Sequence, residues 1–244
     1  GMMSLQKPAV AYTAHAANAP IGVAKGYKPG RVAWVHDPQV TDWNGTATIV
    51  TESWFNHINQ TEATNMMQWG LTGYADATTT SAAWNAIFQN FNGGAAYQPG
   101  EKIFIKINLT TSNYGGDGSG CATATYDQKY HPNCWGVFNY SIGPSPQVMY
   151  ALLNQLVNVA GVAQANITIG DATGQFVNHL YNPLHTAFPN VNYSDKRGTD
   201  GRTLATLSTT QLKWSTNEDN SNLPDYLLQA AANSKYVIDL AILK

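Results

Sequence analysis

The sequence predicts an α/β protein, a mainly parallel sheet with helices on both faces in a Rossmann-like three-layer sandwich. Two observations carry this. Short apolar or β-branched runs at 102–109, 166–170 and 237–243 read as strands. Stretches with helical spacing of apolar residues lie between them, at 146–160, 178–188 and 224–233, and strands alternating with helices build parallel sheets. A composition of 43% hydrophobic residues in 244 allows a substantial core.

Residues 1–30 lack periodicity, carry Pro8, Pro20 and Pro29, and read as an extended arm; residues 31–244 read as one α/β domain. Residues 31–35 (RVAWV) read as a first strand ending at His36-Asp37-Pro38. Residues 59–75 predict a helix, with Asn59 and Thr61 offering cap oxygens and Met66, Met67, Leu71 and Tyr74 on its apolar side. A second helix starts at Ser81, turns Trp84, Ile87, Phe88 and Phe91 inward, and stops at Gly93-Gly94. Residues 110–143 form a long polar loop. Ser145-Pro146 marks a helix start, because Ser can cap free N–H groups and Pro needs no partner at the first position. Gly161 ends that helix. Residues 178–188 form a further helix, 191–193 a short strand, and 194–220 a polar hairpin. Residues 224–233 form the last helix, and 237–243 a buried strand. A chain stopping in a core strand reads as one shortened at its C-terminus.

Only 11% of residues are charged, with a net charge of -2, which excludes a basic nucleic-acid binder. No apolar run reaches the roughly 18–20 residues of a membrane span. Cys121 and Cys134 bracket a 14-residue stretch. A disulfide there would contribute about 3 kcal/mol; two free thiols, or a metal site with His131, are the alternatives, and the spacing fits no common zinc pattern. The uncharged-polar composition suits an exported protein, periplasmic or at the cell surface, whose signal peptide is absent from this sequence.

Ligands of open parallel sheets bind beyond the carboxyl ends of the strands. Lys106 and Asn108, Asp171 and Thr173, and His36 and Asp37 are predicted there, and the last strand carries Asp239 and reaches Lys244. Lys106 and Asn108 share a strand face, and a Lys inside a covered sheet needs a partner, for which Asp171 is placed. Lys106, Asn108 and Asp171 are therefore the candidate catalytic residues, with Asp171 binding a divalent metal or acting as a base. His36, Asp37, Thr173 and Lys244 are the candidate ligand-binding residues. The alternative is that Asp171 only caps its own loop. The Gly-rich stretch 115–120 lacks the helix and the Lys-Ser/Thr pair of a phosphate cradle. No GxSxG, HExxH or CxxC is present.

Four segments in this order, 97–109 (YQPGEKIFIKINL), 145–161 (SPQVMYALLNQLVNVAG), 166–171 (NITIGD) and 236–244 (YVIDLAILK), resemble the domain-of-unknown-function family 362, a bacterial α/β group. Residues 20–38 are similar to an exported subgroup that often has a twin-arginine signal. The resemblance covers about residues 20–244. It implies a site near Lys106, Asn108 and Asp171, with Lys244 from the last strand. Many family members carry iron–sulfur clusters; two cysteines cannot fill four thiolate positions, so no such cluster is expected here. The cofactor is otherwise unknown. The expected function is an exported enzyme with a polar or metal-binding cleft at the strand ends. The alternative is a non-catalytic binder of a small polar or anionic ligand, a carboxylate or a sugar.

Overall fold

The hydrophobic faces of five short strands meet in one parallel sheet. A computed structural model of the chain describes residues 26–44, 54–110, 145–212 and 225–241. The strands are β1 (Ile103–Lys106), β2 (Ile167–Gly170), β3 (Asn192–Asp195), β4 (Thr203–Leu204) and β7 (Tyr236–Asp239), in the order β4-β3-β2-β1-β7. Every pairing within this sheet is parallel, as the α/β prediction requires. A separate antiparallel pair joins β5 (Leu207–Leu212) to β6 (Asp225–Leu228).

The helices are α1 (Gln60–Ala75), α2 (Thr80–Phe91), α3 (Pro146–Asn154), α4 (Asn178–Ala187) and the single turn α5 (Gln229–Ala232). Their starts follow the predicted chemistry. Asn59 accepts hydrogen bonds from the Thr61 and Glu62 N–H groups, and Ser145 Oγ accepts one from the Val148 N–H. A π-helical turn (Gln155–Val159) extends α3, and Gly161 follows at φ +75°, where a side chain would be strained. The second helix begins one residue early, capped by Thr79, and its Phe91 is exposed rather than inward.

Period-two alternation decides which side chains meet which layer. Ile103, Ile105, Ile167 and Ile169 are fully buried and pack with Met149, Leu152, Leu153 and Leu156 of the α3 segment. Leu180 and Leu184 of α4 and Trp84 and Phe88 of α2 complete that core. The opposite sheet face is different. Phe104 there is buried and lines one cavity with Leu228 and Ala230, while Val237 stays 59% exposed. Of the described elements, the α5 turn packs against β1 on this face, with β5 and β6 beside it.

Three sequence expectations change. Residues 31–35 form no strand: they run extended beside α1, with Val35 against Gly70 and the Arg31 guanidinium donating to the Gly73 and Tyr74 carbonyls. Val32 and Trp34 are exposed there, so the apolar alternation buries no face. Residues 225–228 are strand rather than helix, and only one helical turn follows. The last strand is shorter than 237–243, ending at Asp239.

At the amino edge, Glu101 joins β1 to β7. Its carboxylate accepts from Lys235 Nζ (2.8 Å), the Tyr236 hydroxyl (2.7 Å) and the Gln98 N–H (2.9 Å). Desolvation pushes the Glu101 carboxyl up, but these donors overcome it and bring it down to about 2 from an ordinary 4.5. A depressed carboxyl stabilises the fold fully above its unfolded value and loses that contribution as pH falls through the folded one. The wild type should therefore lose stability between pH about 4.5 and about 2 with a slope that Glu101→Gln diminishes, read by urea denaturation across that range. Parallel curves for the two proteins would refute this.

Candidate functional site

The chain leaves β1 in one direction through α3 to β2, whereas β7 lies on the other side of β1. Such a reversal opens a crevice beyond the carboxyl ends, here between β1 and β7. Lys106 and Asp239 are register partners, so their side chains leave the same sheet face at that crevice.

Lys106 and Asp171 converge as predicted, with Nζ 3.3 Å from Oδ2. The Asp171 carboxylate is almost wholly buried, while the Lys106 side chain is 37% exposed. Lys106 Nζ also donates to the Ile107 carbonyl. An ammonium has three donors, so these partners leave one over.

Asp171 receives more than the ammonium. Its Oδ2 accepts from the Leu109 N–H (2.9 Å) and the Thr173 hydroxyl (2.6 Å), and Oδ1 from the Thr173 N–H (3.3 Å). It therefore fastens the chain after β1 to the loop after β2, so the capping alternative and the ion pair hold together. Burial alone would raise the Asp171 carboxyl. The Thr173 hydroxyl, the Leu109 N–H, the Lys106 charge and the Thr173 N–H outweigh it and hold the carboxyl below its ordinary value. Two glycines make this fit possible. A Cβ on Gly170 would lie 1.9 Å from the Ser194 carbonyl oxygen, and one on Gly174 1.9 Å from that of Leu109.

Asn108 turns back on its own loop, its Oδ1 accepting from the Thr110 N–H (2.9 Å) and the Thr110 hydroxyl. The amide oxygen is thereby committed, and only the amide N–H2 is left to serve a ligand. Thr173 stands in the site as a donor to Asp171. His36 and Asp37 do not join it. They lie on the arm beside α1, where the His36 ring stacks on Trp34 and Asp37 Oδ1 accepts from the Gln39 N–H (2.8 Å). Their expected place after a first strand falls with that strand. Lys244 and the Cys121–Cys134 pair lie outside the described residues.

A metal at Asp171 finds no companions: among the described residues no group of three or more His, Cys, Asp or Glu gathers. With four donors already on its two oxygens, Asp171 fits the role of an anchor better than that of a ligand or base.

Sequence reasoning missed Asp195, the fully buried carboxylate at the end of β3. It accepts from the N–H groups of Phe176 (2.9 Å), Arg197 (2.8 Å) and Gly198 (2.7 Å). It thus repeats the role of Asp171 one strand along. The signal was a D-x-x-G just after an expected strand, Asp171-Ala172-Thr173-Gly174 after 166–170 and Asp195-Lys196-Arg197-Gly198 after 191–193. Nearby, Arg202 donates Nε to the Phe176 carbonyl (2.9 Å) and lies 3.7 Å over the Tyr181 ring.

No helix among the described residues is long and apolar enough to cross a membrane. The chain matches no protein-family model, no curated protein and no solved structure.

Asp171→Asn keeps the shape but turns an amide N–H2 toward existing donors. It should cost about 1.5–3 kcal/mol, the worth of hydrogen bonds to a charged group, read as a lower urea midpoint at unchanged slope. Lys106→Met, at a half-exposed position, should cost less than about 1 kcal/mol. Equal losses for both variants would contradict the anchor role of Asp171.

Proposed function

We propose that the chain binds a small polar or anionic ligand at the β1–β7 crevice, with Lys106 as the contact for an acceptor group. The observation that carries this reading is the asymmetry of the ion pair: the carboxylate is buried and saturated with donors, whereas the ammonium reaches the surface with a donor to spare. Asp171 acts as a positioning residue that fixes the ammonium, and the Asn108 amide N–H2 adds a second donor. A carboxylate or another compact acceptor group matches this pair of donors. The resemblance to family 362 supports the same location. Turnover would require a further group delivered to this edge, so binding is the primary reading and catalysis a secondary one.

The test is a thermal-shift series with lactate, succinate and inorganic phosphate against the wild type and Lys106→Met. A ligand held only by the folded state raises stability by RT ln(1 + [L]/Kd), about 1.4 kcal/mol at ten times Kd. At least one of these anions should raise the wild-type melting temperature and leave that of Lys106→Met unmoved. Equal shifts in both proteins, or none, would overturn the reading.

We further propose an exported setting, supported by the uncharged-polar composition and the even count of two cysteines. Protein purified from an oxidising compartment should gain about two mass units on reduction, as a Cys121–Cys134 disulfide requires. An unchanged mass would contradict it.

A further inference from the structure

The second face of the sheet poses a separate question. Parallel sheets are ordinarily covered on both faces, and their strands read as near-continuous apolar runs. Here the face opposite α3 and α4 presents Phe104, Thr168, Asn192, Ser194 and Thr203, mostly hydroxyls and amides. The side chains form a ladder across three strands: Asn192 Nδ2 donates to Thr168 Oγ1 (3.2 Å), and Thr203 Oγ1 donates to Asn192 Oδ1. Such ladders fix the orientation of each polar group, which a core without ligand does not need.

A cavity of about 230 Å³ lies between this face and the α5 segment, with Leu228, Gln229, Ala230 and Asn233 on its far wall. Ser194 lines it, 5% exposed as a residue, with its hydroxyl open to the cavity rather than sealed off. A hydroxyl facing a cavity lined by further hydroxyls and amides offers a donor and an acceptor to an occupant that brings hydroxyls of its own. At the rim stands Lys102, exposed and in no ion pair among the described residues. No carboxylate lines the cavity.

We infer that this cavity binds a polyol of monosaccharide size, neutral or carrying one carboxylate. Its hydroxyls pair with Ser194 and the Thr168–Asn192–Thr203 ladder, and Leu204, 51% exposed, offers an apolar surface to the carbon skeleton. The volume lies below the roughly 300–1,000 Å³ of pockets for drug-sized ligands and suits a monosaccharide. A single rim cation suits one carboxylate and favours a sugar acid over the neutral sugar. This site is separate from the one at Lys106: it occupies a sheet face rather than the carboxyl edge, and Lys106 does not line it.

The experiment is an amide NMR titration of the whole chain with D-glucuronate and with D-glucose. Both sugars should shift the Thr168, Ser194 and Ala230 amides, with glucuronate binding the tighter. Ser194→Ala should weaken both about five- to tenfold, the loss of one hydrogen bond. Lys102→Met should abolish the preference for glucuronate, and Lys106→Met should leave the D-glucose affinity read at those three amides unchanged, because the neutral sugar brings no carboxylate to the strand edge. Absence of shifts at those amides with either sugar at tens of millimolar would overturn the inference. So would affinities unaltered by Ser194→Ala. Loss of binding in Lys106→Met would transfer it to the strand-edge site.

Discussion

The carboxylate of Asp171 is the group on which the carboxyl edge of this sheet depends. It is buried, and a buried charge is tolerable only when donors surround it. The donors come from three places: the backbone after β1, the loop after β2, and the ammonium of Lys106. One group therefore sets where the chain leaves β1, how the next loop turns, and where a cation stands. Asp195 fastens the loop after the following strand through three backbone N–H groups. That comparison separates two roles. Loop fastening belongs to both carboxylates and is structural; the ammonium of Lys106, on a side chain 37% exposed, is the part available to a ligand.

Close backbone packing makes the arrangement rigid. Gly170 and Gly174 let the Ser194 and Leu109 carbonyls approach to distances a Cβ would forbid. The strand ends and their loops thus form a unit with little room to adjust. A site built on such a unit holds its donors in place before a ligand arrives, which lowers the ordering cost of binding. The two sheet faces divide the remaining work. The face of Ile103, Ile105, Ile167 and Ile169 carries the core, and that leaves the other face free to be polar.

Much of this was legible in the residues. Asn59, Ser145-Pro146 and Gly161 announced helix boundaries through local chemistry, and local chemistry survives into the fold. The meeting of Lys106 with Asp171 followed from period two in β1 and the strand-end position of Asp171. Other features depended on distant partners. The RVAWV segment alternates like a strand, yet among the described residues no strand pairs with it, and it lies against α1 instead. The short apolar run at 225–228 suits a helix or a strand equally, and β5 decides it. Asn108 pointed to the crevice by parity, but Thr110 two residues on captured its oxygen. The role of Asp195 was written in the D-x-x-G just after its expected strand, a pattern that carries meaning once one copy is seen to fasten a loop.

The most direct measurement is the titration of the Asp171 carboxyl carbon by NMR, in the wild type and in Lys106→Met. The account predicts a carboxyl that stays ionised below the ordinary Asp range in the wild type. In the variant it should move upward, because the ammonium is one of the groups that offset its burial. An Asp171 that titrates at or above the ordinary range in the wild type, or one indifferent to the loss of Lys106, would contradict the claim that the two form a charged pair at the site.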